Sequence, residues 1–486
     1  MDEVKDRIPE TMADAVTVAG LAGGAVRLEP AQLAELSAAG RVLRTGQPGW
    51  VEAVRVWNGG AARTPALVVQ PGSAAEVAAA VRFAGRHRLR LSVKSGGHSI
   101  AGLSLADGGL ALDLSRLREL TVDPAARLAR VGPGCRLGDV DRATNQHGLA
   151  TVLGFVSKVG VAGLVLGGGL GYLTRRFGWG VDNLAEAEIV TADGEIRTAS
   201  PDQHPDLFWA VRGAGANFGV VTRLTLRLHE VGPNVFGGLI CWPFDRVGEV
   251  MATYRRLTAT APRELAGWLV MLRAPAAPFV PPEWHGQLVV GMVVCYSGPL
   301  AGTETALAPI RALGAPVFDL LAERPYPELQ SMLDDTEPDG QQYYWHTEYL
   351  TGLSDELLEL LPALLRECPI PDGDIGILHL GGALNERAAD DGAVGNRDVR
   401  YVVGIKGQWA PGEPAGDEFR RWIRAAGHRV RPFTTGRTYI NFQTAHEGEA
   451  RVRATYGDNL DRLLAVKRMY DPENLFRENR NLLAAG

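Results

Sequence analysis

Lys94-Ser95-Gly96-Gly97-His98-Ser99 is the first stretch of this chain whose residue types could do chemistry. Paired glycines let a backbone approach a ligand closely and present its N–H groups. The imidazole of His98 would project from such a loop as a nucleophile or a ligand. The same residues also describe a tight turn with an idle surface histidine, and the next hundred residues tip the balance. Between Gly154 and Gly171 there are seven glycines in 18 residues, against a background near 7%. So few side chains make a poor core, and the segment must turn repeatedly or let something press on its backbone. A third loop follows, Gly213-Ala214-Gly215-Ala216-Asn217-Phe218-Gly219.

A single glycine run at Gly167–Gly171 invites comparison with a dinucleotide phosphate loop. That loop follows the first strand of a βαβ unit and has an acid about 20 residues on. Here it comes late, and Glu188 is the only nearby acid on a strand. A Walker-type loop is excluded because no Gly-Lys-Ser or Gly-Lys-Thr follows. Three separate loops around one large ligand fit better: backbone amides suit a pyrophosphate, and glycines leave a flat slot for a ring.

The elements that must position these loops are short. Pro65–Gln70 reads as a strand, Ser73 as a helix cap, Ala74–Arg88 as a helix, and Leu89–Val93 as the strand feeding the histidine loop. Gly109–Asp113, Leu120–Val122 and Leu128–Val131 continue as turn-punctuated strands, with a helix at Leu137–His147. Val181-Asp182-Asn183 and Glu188–Ala192 read as strand, closed by the hairpin signal Asp193-Gly194. Composition changes at Gly232-Pro233. From 233 to 430, strands at Val235–Trp242, Leu265–Leu272, Leu288–Tyr296, Tyr343–Tyr349, Gly376–Leu380 and Tyr401–Ile405 alternate with helices at Val247–Thr258, Gly302–Ala312, Tyr326–Leu333 and Asp355–Leu365. This predicts an antiparallel sheet with helices on one face. The fold class is α+β, divided at 1–232, 233–430 and 431–486.

Composition narrows the function. At −6 the net charge offers no basic face for nucleic acid. Cys135, Cys241, Cys295 and Cys368 stand singly, which argues against a zinc site or a disulfide framework. No metal site is expected. The acidic start, with Asp2, Glu3, Asp6 and Glu10, lacks a signal-peptide pattern, and no apolar run is long enough to span a membrane. A soluble, cytoplasmic protein is expected.

Four ordered motifs now carry a resemblance: Ser95-Gly96-Gly97-His98-Ser99; Gly160–Asn183; Asp206-Leu207-Phe208-Trp209 through Asn217-Phe218-Gly219-Val220-Val221-Thr222; and Tyr470-Asp471-Pro472-Glu473-Asn474-Leu475-Phe476. Together they resemble the FAD-linked oxidases of the vanillyl-alcohol-oxidase type, with a PCMH-type FAD-binding domain, and within them the berberine-bridge-enzyme-like group. The likeness spans about Pro65–Val231 and Tyr439–Asn481, while 235–430 match only in general pattern. It implies a two-part FAD domain with an inserted substrate domain, and FAD joined covalently to His98. It further implies cofactor contacts from Lys94 to Ser99, from Val159, Gly160 and Gly163, and from Gly167, Gly168, Gly169 and Gly171. Asn183, Gly219, Val221, Asn441 and Asn479 complete that set.

Two departures qualify the likeness. Many such proteins add a second link through a cysteine in a Cys-Pro-Thr-Val-Gly loop, but this chain reads Val156-Ser157-Lys158-Val159-Gly160. One link is therefore expected, and a bulky sugar substrate is disfavoured. Val159 lies where the resemblance places oxygen gating, and its small side chain is similar to that of oxidases. The second departure is Tyr439-Ile440-Asn441-Phe442, where a Tyr-x-Asn-Tyr motif is usual. Phe442 takes no proton, yet removing hydride beside an OH or NH needs a proton acceptor. Tyr439 is one candidate. Alternation along Tyr343–Tyr349 puts Tyr344, His346 and Glu348 on one face as others; the alternative is that this is the sheet's polar outer face. Trp57-Asn58 and Trp209 read as core, and Arg175-Arg176 as a solvated face. The expected activity is FAD-dependent oxidation of a small alcohol, amine or secondary-metabolite intermediate, with O2 as acceptor and H2O2 as product. A dehydrogenase using another acceptor, or a flavin-carrying protein without turnover, are the competing readings.

Overall fold

The computed structural model describes residues 14–485, so the acidic run from Asp2 to Glu10 lies outside the described residues. Ahead of the first cofactor motif come a hairpin, Val16–Ala19 with Ala25–Leu28, and a helix, Pro30–Leu36. A four-stranded sheet follows. Leu67–Gln70, Leu110–Asp113 and Leu91–Lys94 run parallel in that spatial order, with Arg41–Leu43 antiparallel on the outer edge. The helix Ala74–Arg86 is capped by Ser73, whose side chain accepts from Glu76 N–H, and buries Val77, Val81 and Phe83. A five-stranded antiparallel sheet comes next, with Leu184–Val190 and Val220–Arg227 at its centre.

Between them the glycine-rich segment is less of a loop than its composition predicts. It winds a short helix, Val161–Leu166, and a second at Thr174–Phe177. Val181-Asp182-Asn183 is a 3-10 turn, not a strand. Alternating apolar residues there report burial, which does not distinguish the two.

From Asn234 to Trp409 the chain builds an eight-stranded antiparallel sheet. One face is covered by helices Val247–Thr260, Thr303–Arg311, Asp355–Glu367 and Gly416–Val430 around one apolar core. The last helix is absent from the sequence expectation, although Phe419, Ile423, Ala426 and Val430 recur at helical spacing and are all buried. The other face turns towards the glycine loops. Arg175 joins the two parts. It is buried, and its guanidinium donates to the carbonyls of Leu265, Ala261 and Leu380 and meets His379 Nε2 at 2.7 Å. The expected solvated arginine is thus a buried clamp.

The tail returns to the first half. Helix Leu460–Tyr470 buries Leu463, Leu464 and Val466 in the core of the five-stranded sheet, and Leu475 and Phe476 pack into that of the four-stranded one. Lys467, fully buried, donates to Asp471 at 2.6 Å and to the carbonyls of Asn217 and Phe476. Asp471 in turn accepts from the N–H groups of Leu475 and Phe476. The tail motif is therefore a clip that fixes the third glycine loop from behind.

Candidate active site

A cavity of about 360 Å³ runs between the glycine loops and the open face of the large sheet. The histidine loop leaves the C-terminal end of a parallel strand, the usual place for a ligand in such sheets. Gly97 sits at φ +72. A Cβ on Gly96 would fall 2.4 Å from Gly160 N, and one on Gly160 equally close to Gly96 N, so the first two loops cross backbone on backbone. Ser95 Oγ donates to Pro133 O at 2.5 Å, and Ser99 Oγ accepts from Leu103 N–H. His98 lines the cavity, and its removal from water lowers its pKa to about 4, leaving a neutral ring at neutral pH.

Ser95, Gly96, Gly97, Ser99, Val159, Gly160, Gly163 and Gly167 all line the cavity, as do Gly219, Val221, Asn441 and Asn479. A Cβ on Gly163 would meet no protein atom within 4 Å, whereas one on Gly167 would strike Asn441 Oδ1 at 2.1 Å. Five expected contacts lie elsewhere. Lys94 is buried beneath the loop, 3.5 Å from Asp113. Gly168 and Gly169, at φ +126 and +81, turn the chain behind the wall, and a Cβ on Gly171 would collide with Leu153 O. Asn183 ties the turn at Phe177 and Trp179 and contacts His229. These residues shape the loops; they do not face the space between them.

The sheet wall reverses the expected parity. Trp345 and Thr347 line the cavity, and Tyr344, His346 and Glu348 point away from it. Tyr344 belongs to the helix-side core, and His346 packs on Gly427 of helix Gly416–Val430. Glu348 is fully buried between His346 Nε2 at 3.2 Å and Arg451 at 2.5 Å. Against the pull of burial, these partners hold its carboxyl below the ordinary range. None of the three can serve as proton acceptor in the cavity, because the face that meets the loops carries the indole.

Tyr439 does line the cavity. Its oxygen accepts from Gly169 N–H and Asn441 Nδ2, both at 2.8 Å, and its ring stacks on Trp179. Burial pushes its phenol far above the ordinary value. Phe442 lies edge-on to it and to Trp345. The polar group that the sequence reading missed is Lys406 with Glu337, both on the cavity wall. Lys406 Nζ is 3.7 Å from Glu337 and 3.4 Å from Asp374, and 5.2 and 5.3 Å from the ring centroids of Trp268 and Trp345. Burial raises the pKa of both carboxyls, and against burial the two carboxyls raise that of Lys406. The signal was the odd-numbered face of the Tyr343–Tyr349 strand, which pairs with the strand of Lys406.

Three observations test whether these residues fit FAD. Gly163 faces open space, the loops are bare of side chains, and Gln443 Oε1 and Asn479 Oδ1, both on the cavity wall, are buried without a hydrogen-bond partner among the described residues. FAD offers N–H and O–H donors to such oxygens along its flavin, ribityl and adenine parts, and buried acceptors need partners. The residues fit. Val156 stands at the cavity wall, and all four cysteines are buried away from it.

Known proteins agree with this geometry. Residues 65–200 match the family model described as FAD binding domain, and 438–482 match berberine and berberine like. The chain is 32% identical to (R)-6-hydroxynicotine oxidase of Paenarthrobacter nicotinovorans over 92% of its own length and 97% of that protein's. It is 30% identical to an FAD-linked oxidoreductase of Dictyostelium discoideum over 91% and 94%. The crystal structure of 6-hydroxy-D-nicotine oxidase from Arthrobacter nicotinovorans superposes with a TM-score of 0.81, at 30% identity over 92% of this chain and 98% of that one. A xylooligosaccharide oxidase from Myceliophthora thermophila gives 0.82 at 25% identity over 93% and 99%. Glycine loops, tail clip and sheet together place this chain in the berberine-bridge-enzyme-like family of FAD-linked oxidoreductases.

Proposed function

We propose that this enzyme is an oxidase of a small alcohol, amine or secondary-metabolite intermediate, with FAD tethered through His98 alone and O2 as the acceptor, giving H2O2. When bound, the flavin supplies the hydride acceptor. His98 holds it by one end, and no cysteine is available at Val156 for a second bond. Val159 leaves a small side chain on the cavity wall, and we assign oxygen entry to that point. Trp268 and Trp345 present flat apolar surface to a substrate and keep water from the reacting carbon.

The observation that carries the reading is that one cavity holds both His98 and a part-buried Lys406–Glu337 pair. We assign the substrate's O–H or N–H proton to Glu337, whose burial makes it a better base than an ordinary carboxylate. Tyr439, with its oxygen already accepting two N–H bonds, fixes the glycine turn and forms the wall. Two relatives, named a hydroxynicotine oxidase and a xylooligosaccharide oxidase, support reading this chain as an oxidase. Acid precipitation of the purified protein should leave the pellet yellow, with one flavin-bearing peptide containing His98. A peroxide-coupled screen of alcohols and amines should find substrates. Flavin lost to the supernatant refutes the tether, and a flavin reduced by substrate but not reoxidised by air refutes the oxidase.

A further inference from the structure

Trp57 lies before the first residue of either matched family segment, and the sequence gives it no role beyond core. In the fold it lines the cavity beside His98. The two rings stack with centroids 5.5 Å apart and planes 15° from parallel. The indole also stacks on Tyr343 at 3.8 Å and 19°. Trp57 is itself held at three points. Its N–H donates to Gly97 O at 3.0 Å, its carbonyl accepts from Gly340 N–H at 2.8 Å, and its indole N–H donates to Glu337 O at 3.1 Å. Next to it, Asn58 donates to Ile100 O and Tyr343 O and accepts from Tyr343 N–H. The indole is thus a fixed plate, gripped by both the histidine loop and the segment leading into the large sheet.

The imidazole of His98 projects from a glycine loop. Rotation about the bond to its ring is broad, and Gly96 and Gly97 add backbone freedom. We propose that Trp57, backed by Tyr343, is the positioning residue for the flavin tether: its face fixes the plane of the His98 ring so that a ring nitrogen points at the flavin methyl carbon. This rests on the reading of His98 as the tether. In the step it serves, a C–N bond forms between the imidazole nitrogen and that methyl carbon. The N–H hydrogen and one methyl hydrogen leave those atoms, and with the electron pair they end on the flavin, which becomes two-electron reduced. Dioxygen then accepts both electrons and both hydrogens as H2O2. The burial that keeps the ring neutral keeps its nitrogen lone pair available.

The test is the rate of covalent capture, read apart from turnover. Wild type, Trp57→Ala, Trp57→Leu and Trp57→Phe are purified and incubated with excess FAD. Acid-stable flavin fluorescence in denaturing gels is sampled over time, beside total bound flavin and melting temperature. Misplaced reacting groups lose on the order of 100-fold in rate. Trp57→Ala and Trp57→Leu should therefore bind FAD but capture it about 10- to 100-fold more slowly, while Trp57→Phe, which keeps an aromatic face, recovers most of the rate. Where Trp57→Ala fails to fold, Tyr343→Leu takes its place and should slow capture while Trp57→Phe does not. Capture at the wild-type rate in the Ala or Leu variant, or equal loss in Leu and Phe, overturns the proposal. Absence of acid-stable flavin in the wild type would overturn the tether itself, a separate outcome.

Discussion

At the residue scale the site turns on which groups are buried with a partner and which face open space. Glu337 and Lys406 sit on the cavity wall, while His346 and Glu348 are bonded into the sheet's far side. Because burial raises the Glu337 carboxyl, it accepts a proton only above its elevated pKa. The rate of flavin reduction under anaerobic stopped flow should therefore climb with pH through a value above the ordinary carboxylate range. Glu337→Gln should flatten that limb and slow reduction about 100-fold or more, the usual worth of a general base. His346→Ala should leave the profile's shape intact, since its ring does not reach the cavity. An unaltered limb in Glu337→Gln would move the base elsewhere, with Tyr439→Phe the next variant to measure.

At the scale of elements, the tail helix matters as much as the loops. Lys467 and Asp471, one turn apart and fully buried, connect helix Leu460–Tyr470 to the third glycine loop through Asn217. Removing one member of a buried pair strands the other charge, at about 3–5 kcal/mol. Lys467→Met should lower the denaturation midpoint accordingly and release FAD binding in any protein lacking the covalent bond, such as His98→Ala. The readouts are urea titration and flavin retention on gel filtration. The paired change, Lys467→Met with Asp471→Asn, should recover part of the loss. If both proteins melt like the wild type, the clip has no structural role.

For the whole molecule, buried neutral histidines set an acid limit. His229 is lowered to about 4 by burial first and then by Arg176, and His379 to about 2 by burial first and then by Arg175. In the unfolded chain both titrate near 6.5. The unfolded state therefore binds more protons below that value, and stability falls as pH drops from about 6.5 towards 4. Melting temperature should decline over that window and be flat from pH 7 to 8. His379→Gln should shallow the decline. A melting temperature independent of pH between 7 and 4.5 would contradict this. Among the described residues no helix is long and apolar enough to cross a membrane.

Local order settled some of these features and assembly settled others. Glycine spacing, the His98 loop and the tail motif were legible from sequence because each is a short run whose backbone needs are local: positive φ at Gly97, close approach at Gly96 and Gly160. Strand positions in the large sheet were legible too, since alternation is a property of neighbours. The buried role of Arg175, the helix Gly416–Val430, and the cavity-facing side of the Gln342–Leu350 strand were not. Period two identifies two faces and leaves open which one meets the cofactor. That choice depends on Arg451, 103 residues further along the chain, pairing with Glu348 on one side, and on Lys406 stacking over Trp345 on the other. By itself the sequence determined that three glycine loops leave backbone bare, the first of them carrying His98. Only the tertiary structure decided which polar groups share that space, because burial and pairing arise between segments that meet when the sheet closes over the loops.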